Sequence, residues 1–120
     1  LFLDTRTKII PLHELLARLE SDAARWVCGY FDPLLAEHVR KLAQAREPGR
    51  LLVVEVTNPP QPLLGQRARA ELVAALSMVD YVVLGEGRED SPADADITER
   101  FIGHVLDRHR ISDRHQQEAR

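Results

Sequence analysis

The run Leu51-Leu52-Val53-Val54-Glu55-Val56 restricts the fold of this chain more than any other stretch. A strand with one wet face alternates apolar and polar residues. This run is almost continuously aliphatic, and helical patterns flank it on both sides. That combination predicts a parallel strand covered on both faces. Residues 26–31 (Trp26, Val27 and Cys28 leading into Gly29-Tyr30-Phe31) and residues 80–84 (Asp80-Tyr81-Val82-Val83-Leu84) read as two further strands.

Helical spacing fills the intervals. Leu12, Leu15, Leu16 and Leu19 follow i, i+3, i+4, i+7 and predict a helix running to about residue 24. Val39, Leu42 and Ala43 mark a helix over 36–45, closed by Glu47-Pro48-Gly49. A third helix is expected over 66–77, with Leu72, Val73 and Leu76 on its buried side. Ile97, Phe101, Ile102, Val105 and Leu106 form the stripe of a fourth helix ending near residue 108, and a polar tail follows from about 110. Residues 1–11 read as an extended lead-in and 85–93 as a polar loop. Residues 57–62 must be a loop, because Pro59, Pro60 and Pro62 supply no backbone donor.

Strands alternating with helices predict an α/β fold: a Rossmann-like three-layer α/β/α sandwich on a short parallel sheet, as one domain spanning 1–120. Ligands of such sheets bind at the carboxyl ends of the strands, which here are Phe31-Asp32, Thr57-Asn58 and Leu84-Gly85-Glu86. Three strands leave sheet edges to cover, so a homodimer or larger assembly is expected.

Composition narrows the partners. A formal net charge of −3 gives no electrostatic reason to expect nucleic acid or an anionic membrane. No apolar run approaches the ~20 residues of a membrane-spanning helix. With a single cysteine there is no internal disulfide, no signal peptide is visible, and a cytoplasmic setting is expected.

The turn between the first strand and second helix carries the most specific signal. Gly29-Tyr30-Phe31-Asp32-Pro33-Leu34-Leu35-Ala36-Glu37-His38 resembles the G-x-F-D-x-x-H-x-G-H motif of the cytidylyltransferase-like nucleotidyltransferases. Within them it is most similar to the adenylyltransferase domain of ADP-heptose synthesis. Lys8-Ile9-Ile10-Pro11-Leu12-His13-Glu14-Leu15, Arg69-Ala70-Glu71-Leu72-Val73-Ala74-Ala75-Leu76 and Val79-Asp80-Tyr81-Val82-Val83 resemble further segments of that domain. The likeness covers roughly residues 8–84.

The resemblance implies attack of a sugar- or alcohol-phosphate on the α-phosphate of ATP or CTP, usually with Mg²⁺, and release of pyrophosphate. It places Gly29, Tyr30, Phe31, Asp32, His38 and Arg69 at the nucleotide, with His38 as the catalytic donor and Arg69 as a phosphate contact. The second helix would add its N-terminal dipole.

Several positions depart from the motif. Leu35 stands at the first histidine position and has no donor. Losing one such contact costs about 2.7–4 kcal/mol in the transition state. Glu37 replaces the motif glycine, where a carboxylate takes up space, repels a triphosphate and can cap the helix in its place. The segment from Thr57 to Gln66 has no lysine, and Asp94-Ala95-Asp96-Ile97-Thr98-Glu99 is acidic where the family carries arginine and hydroxyls. The fourth strand that precedes this last motif in the family is not evident.

The expected function is therefore a cytidylyltransferase-like domain that has lost nucleotidyl transfer and keeps a structural, interaction or weak nucleotide-binding role. The alternative is a divergent active nucleotidyltransferase.

The remaining candidates read as structure. Cys28 is expected to be a buried thiol. Asp32 is expected to orient its turn through backbone N–H groups. For His38, a hydrogen bond to local backbone or to Glu37 competes with the motif role. His104 and His109 lack the spacing of a helical metal pair, and no metal site is expected.

Overall fold

In the computed structural model, which describes residues 4–20, 23–85 and 97–100, the aliphatic run becomes the inner strand its composition predicts. The elements are α1 (Leu12–Arg18), β1 (Ala24–Gly29), α2 (Ala36–Ala45), β2 (Leu51–Val56), α3 (Gln66–Ala74), β3 (Tyr81–Leu84) and β4 (Ile97–Arg100), with a short 3-10 turn, Thr5–Lys8, ahead of them. The sheet order is β3-β2-β1-β4. β1, β2 and β3 are parallel, with Ala24 opposite Leu51 and Val53 opposite Tyr81.

The two faces of β2 follow the period of two. Leu52, Val54 and Val56 join Val27, Val82 and Phe31 against Leu42 of α2 and Ala70, Val73 and Ala74 of α3. Val53 joins Ala24, Trp26 and Val83 against Leu15 of α1. These are the three expected layers, α2 and α3 on one face and α1 on the other. Small residues on α3 let its axis come close to the sheet. Leu72 lies off that line and is 46% exposed, contrary to the expected buried face.

Three boundaries differ from the periodicity. α1 stops at Arg18, because Leu19 is already extended and the chain must return to start β1 at Ala24. β1 begins two residues early and ends at Gly29, because Phe31 turns out of the strand to plug the core. α3 closes at Ala74 in a turn through Ala75 and Leu76.

The fourth helix is overturned at its start. Residues Ile97–Arg100 form β4, antiparallel to β1, with Gly29 opposite Ile97 and Trp26 opposite Arg100. Four residues with a single apolar side chain carry no period of their own, and the unpaired side of β1 decided the element. The rest of that helix, the polar loop beyond residue 85 and the tail from 110 lie outside the described residues.

The sheet edges are also not as bare as expected. β4 takes one side of β1. The lead-in bridges β3 at Ile9↔Val82, and the Ile10 N–H bonds the Val82 carbonyl at 3.0 Å. Lys8 Nζ pins the same segment to the Leu76 carbonyl at 3.0 Å.

Gly85, just past β3, leaves room for Glu55. A Cβ there would lie 2.5 Å from Glu55 Oε1 and 2.7 Å from its Cγ. Because Cγ is not the flexible tip, the whole Glu55 side chain would have to move. Gly85→Ala is expected to cost about 1–3 kcal/mol, as overpacking does, read from the urea midpoint. An unchanged midpoint would contradict this packing.

Candidate functional site

The site begins where β1 ends. Tyr30 leaves the strand, Phe31 adopts φ 50°, and the Asp32–Pro33 peptide is cis. A left-handed bulky residue costs of order 1–3 kcal/mol. Complete burial of an aromatic ring contributes a comparable amount, about 1.5–3 kcal/mol. Phe31 is fully buried, and its ring meets His38 edge-on, with centroids 5.6 Å apart at 80°.

Leu35 is the N-cap of α2 and offers no side-chain bond to the helix. His38 reaches back instead: its Nδ1 accepts from the Leu35 N–H at 2.9 Å. Of the two local partners weighed for His38, the backbone is the one that holds this nitrogen. With Nδ1 accepting, a neutral ring carries its proton on Nε2.

Glu37 lies in the first turn of α2. The side chain is 66% exposed and lies 3.5 Å from Lys41 Nζ, one turn along the helix.

Two residues of α3 tie the strand ends together. Gln66 Nε2 donates to Val56 O at 2.9 Å and to Gly85 O at 2.7 Å, joining the ends of β2 and β3. Arg69 is fully buried. Its Nη1 donates to Tyr30 O at 2.8 Å and Thr57 O at 2.6 Å, its Nε to Leu64 O at 2.9 Å, and its Nη2 to Asn58 Oδ1 at 2.5 Å. The residue expected at a phosphate thus gives hydrogen bonds to three carbonyls and an amide oxygen of the protein itself.

Asp32 does bond backbone N–H groups, but those of the proline loop and not of its own turn. Oδ2 accepts from Leu63 N at 2.6 Å and Oδ1 from Leu64 N at 2.9 Å. Thr57 adds bonds from its N–H, at 2.9 Å, and its hydroxyl, at 3.3 Å, to Gly29 O.

The six sequence-derived residues therefore meet at one sheet edge. Gly29, Tyr30, Phe31 and Asp32 line the exit of β1, Arg69 holds Tyr30, and His38 packs on Phe31. Thr57 and Asn58, expected at the end of β2, belong to the same network, as do Gln66, Leu63 and Leu64, which were not singled out by sequence. Gln66 carried one usable signal: it opens the helix three residues before Arg69, on the same face.

Asp32 is the carboxylate within the turn, and each of its oxygens accepts one hydrogen bond. Among the described residues no three His, Cys, Asp or Glu side chains gather to hold a metal ion, and no helix is long and apolar enough to cross a membrane.

No family model matches the chain. Curated relatives do. The bifunctional protein HldE of Helicobacter pylori strain P12 is 35% identical over 97 residues, covering 73% of this chain and 21% of that protein. HldE of Pelobacter propionicus is 36% identical over 103 residues, with 74% and 21% covered. HldE of Syntrophotalea carbinolica is 40% identical over 73 residues, with 53% and 14% covered. The chain spans about a fifth of the length of the first two relatives, and less of the third.

Proposed function

From the premise that this chain belongs to the nucleotidyltransferase-like family represented in the HldE proteins, we propose that it is a nucleotidyltransferase-like domain without nucleotidyl transfer, retaining a weak nucleotide-binding or interaction role. One observation carries the reading: the polar groups at the motif are engaged with the protein itself. Arg69 bonds four protein oxygens, Asp32 accepts from Leu63 and Leu64, and Leu35 supplies no donor where the motif has a histidine. A transition state that gathers charge on phosphate needs donors aimed at it.

Two observations favour residual nucleotide binding. The Glu37 side chain is exposed and pairs with Lys41 along the helix, and the Leu35 N–H fixes His38 Nδ1 at the start of α2. A second reading, an active enzyme joining ATP or CTP to a sugar- or alcohol-phosphate, draws support from the identity to HldE over 73% of the chain. In that reading a phosphate oxygen attacks the nucleotide α-phosphate and pyrophosphate leaves. The N–H groups of α2 and His38 would hold the phosphates, and Mg²⁺ would arrive on the triphosphate. The proposal keeps the expected cytoplasmic setting and self-association, the latter tested by light scattering.

Titration with ATP or CTP and Mg²⁺, read by thermal shift and pyrophosphate release, separates the readings. Nucleotide at a concentration equal to its Kd adds about 0.4 kcal/mol, a shift of roughly 1–3 °C. The expected result is a shift of that size at millimolar nucleotide with no pyrophosphate released in the presence of a sugar phosphate. Sugar-phosphate-dependent release that His38→Ala abolishes would sink the leading reading.

A further inference from the structure

We infer that Asp32 and Arg69 are positioning residues that clamp the proline loop onto the β1 exit, acting on the site through Leu64 and not by touching a ligand. The inference rests on the nucleotide-site reading above only for which site is positioned. Leu64 is held at both of its backbone groups. Its N–H goes to Asp32 Oδ1 at 2.9 Å, and its carbonyl accepts from Arg69 Nε at 2.9 Å. Leu63 N–H adds the second Asp32 oxygen at 2.6 Å.

The circuit closes on itself. Arg69 Nη1 holds Tyr30 O at 2.8 Å, two residues before Asp32, so carboxylate, Leu64, guanidinium and the strand exit form one ring. Charge-assisted hydrogen bonds of this kind are about twice as strong as neutral ones, and linked bonds polarise one another.

Apolar burial does not place this segment. Leu63 is 79% exposed and Leu64 is 37% exposed. Pro59, Pro60 and Pro62 remove the donors a regular structure would use. The polar grip is what remains to set the loop against the exit of β1.

Backbone amide spectra of the ¹⁵N-labelled full chain test the clamp directly. Asp32→Asn should move the Leu63 and Leu64 amide signals upfield and also shift the Arg69 side-chain Nε–H signal, which Asp32 does not touch. Arg69→Lys removes the Leu64 carbonyl bond and touches neither amide. It should still shift both amides and speed their hydrogen exchange about tenfold, the range expected for coupled neighbours. Val54 amide exchange serves as the control for an intact sheet. Should Arg69→Lys fail to fold, the Asp32→Asn effect on Arg69 Nε–H decides alone. Amides that stay in place in a folded variant would overturn the clamp.

If ATP with Mg²⁺ binds, both variants should weaken it by a similar factor, and the double variant by no more than either alone. Fully additive losses would mean separate ligand contacts and would overturn the inference. Wild-type protein that binds no nucleotide overturns the functional reading instead, while the amide spectra still decide the clamp.

Discussion

Replacing Arg69 with methionine is expected to cost about 3–5 kcal/mol, the range seen when one partner of a buried charged network is removed. The methionine keeps most of the apolar stem but leaves the carbonyls of Tyr30, Thr57 and Leu64 and the Asn58 side chain without their donor. A buried acceptor left unmet, as the Thr57 carbonyl would be, costs about 1–3 kcal/mol, and the more exposed acceptors cost less. Their simple sum overshoots, because removing the guanidinium also relieves the desolvation of a fully buried cation. Against a total stability of about 5–15 kcal/mol, the loss would be a large fraction. Urea unfolding followed by circular dichroism measures it. A change below about 1 kcal/mol would place the guanidinium in water and contradict the geometry.

The second large effect is on the other face of the sheet. Trp26→Ala is expected to cost about 3–5 kcal/mol, as other large aromatic truncations do. Trp26 is buried beneath α1 with Leu15, Val53 and Val83, and that layer rests on a helix of only seven residues. Few neighbours can close the space the indole would leave. Trp26→Phe should cost clearly less. It keeps an aromatic ring and removes an indole N–H that has no hydrogen-bond partner among the described residues. Equal losses in the two variants would show that the N–H, and not the volume, carries the stabilisation. Thermal melts of the pair make the comparison.

Legibility in the sequence followed local pattern. α2 and β2 were readable to the residue, because each combines a clear period with a hard stop or an unbroken aliphatic run. The end of β1 was not, because Phe31 leaves the strand for a tertiary reason, its burial in the core against His38. The fourth element was misread as a helix because its first residues answer to a pairing partner far away in sequence, and periodicity cannot see that partner. At the site, the motif residues were identifiable one by one, but their hydrogen bonds were not. Arg69 in a helical pattern looks the same whether it faces a phosphate or three carbonyls.

By itself, then, the sequence determined the α/β class, the three parallel strands, the sheet edge at which the motif sits, and the family likeness that homology to HldE supports. Those properties depend on spacing and residue type, which are local. Only the tertiary structure decided that β4 closes the side of β1, and that Asp32 bonds the Leu64 N–H while Arg69 bonds its carbonyl. Hydrogen bonds and salt bridges depend on angstrom-scale distances between loops that the chain brings together only when folded. The same six residues could line an open phosphate site or a clamped one, and it is the bonds to Leu63, Leu64, Thr57 and Tyr30 that make it clamped.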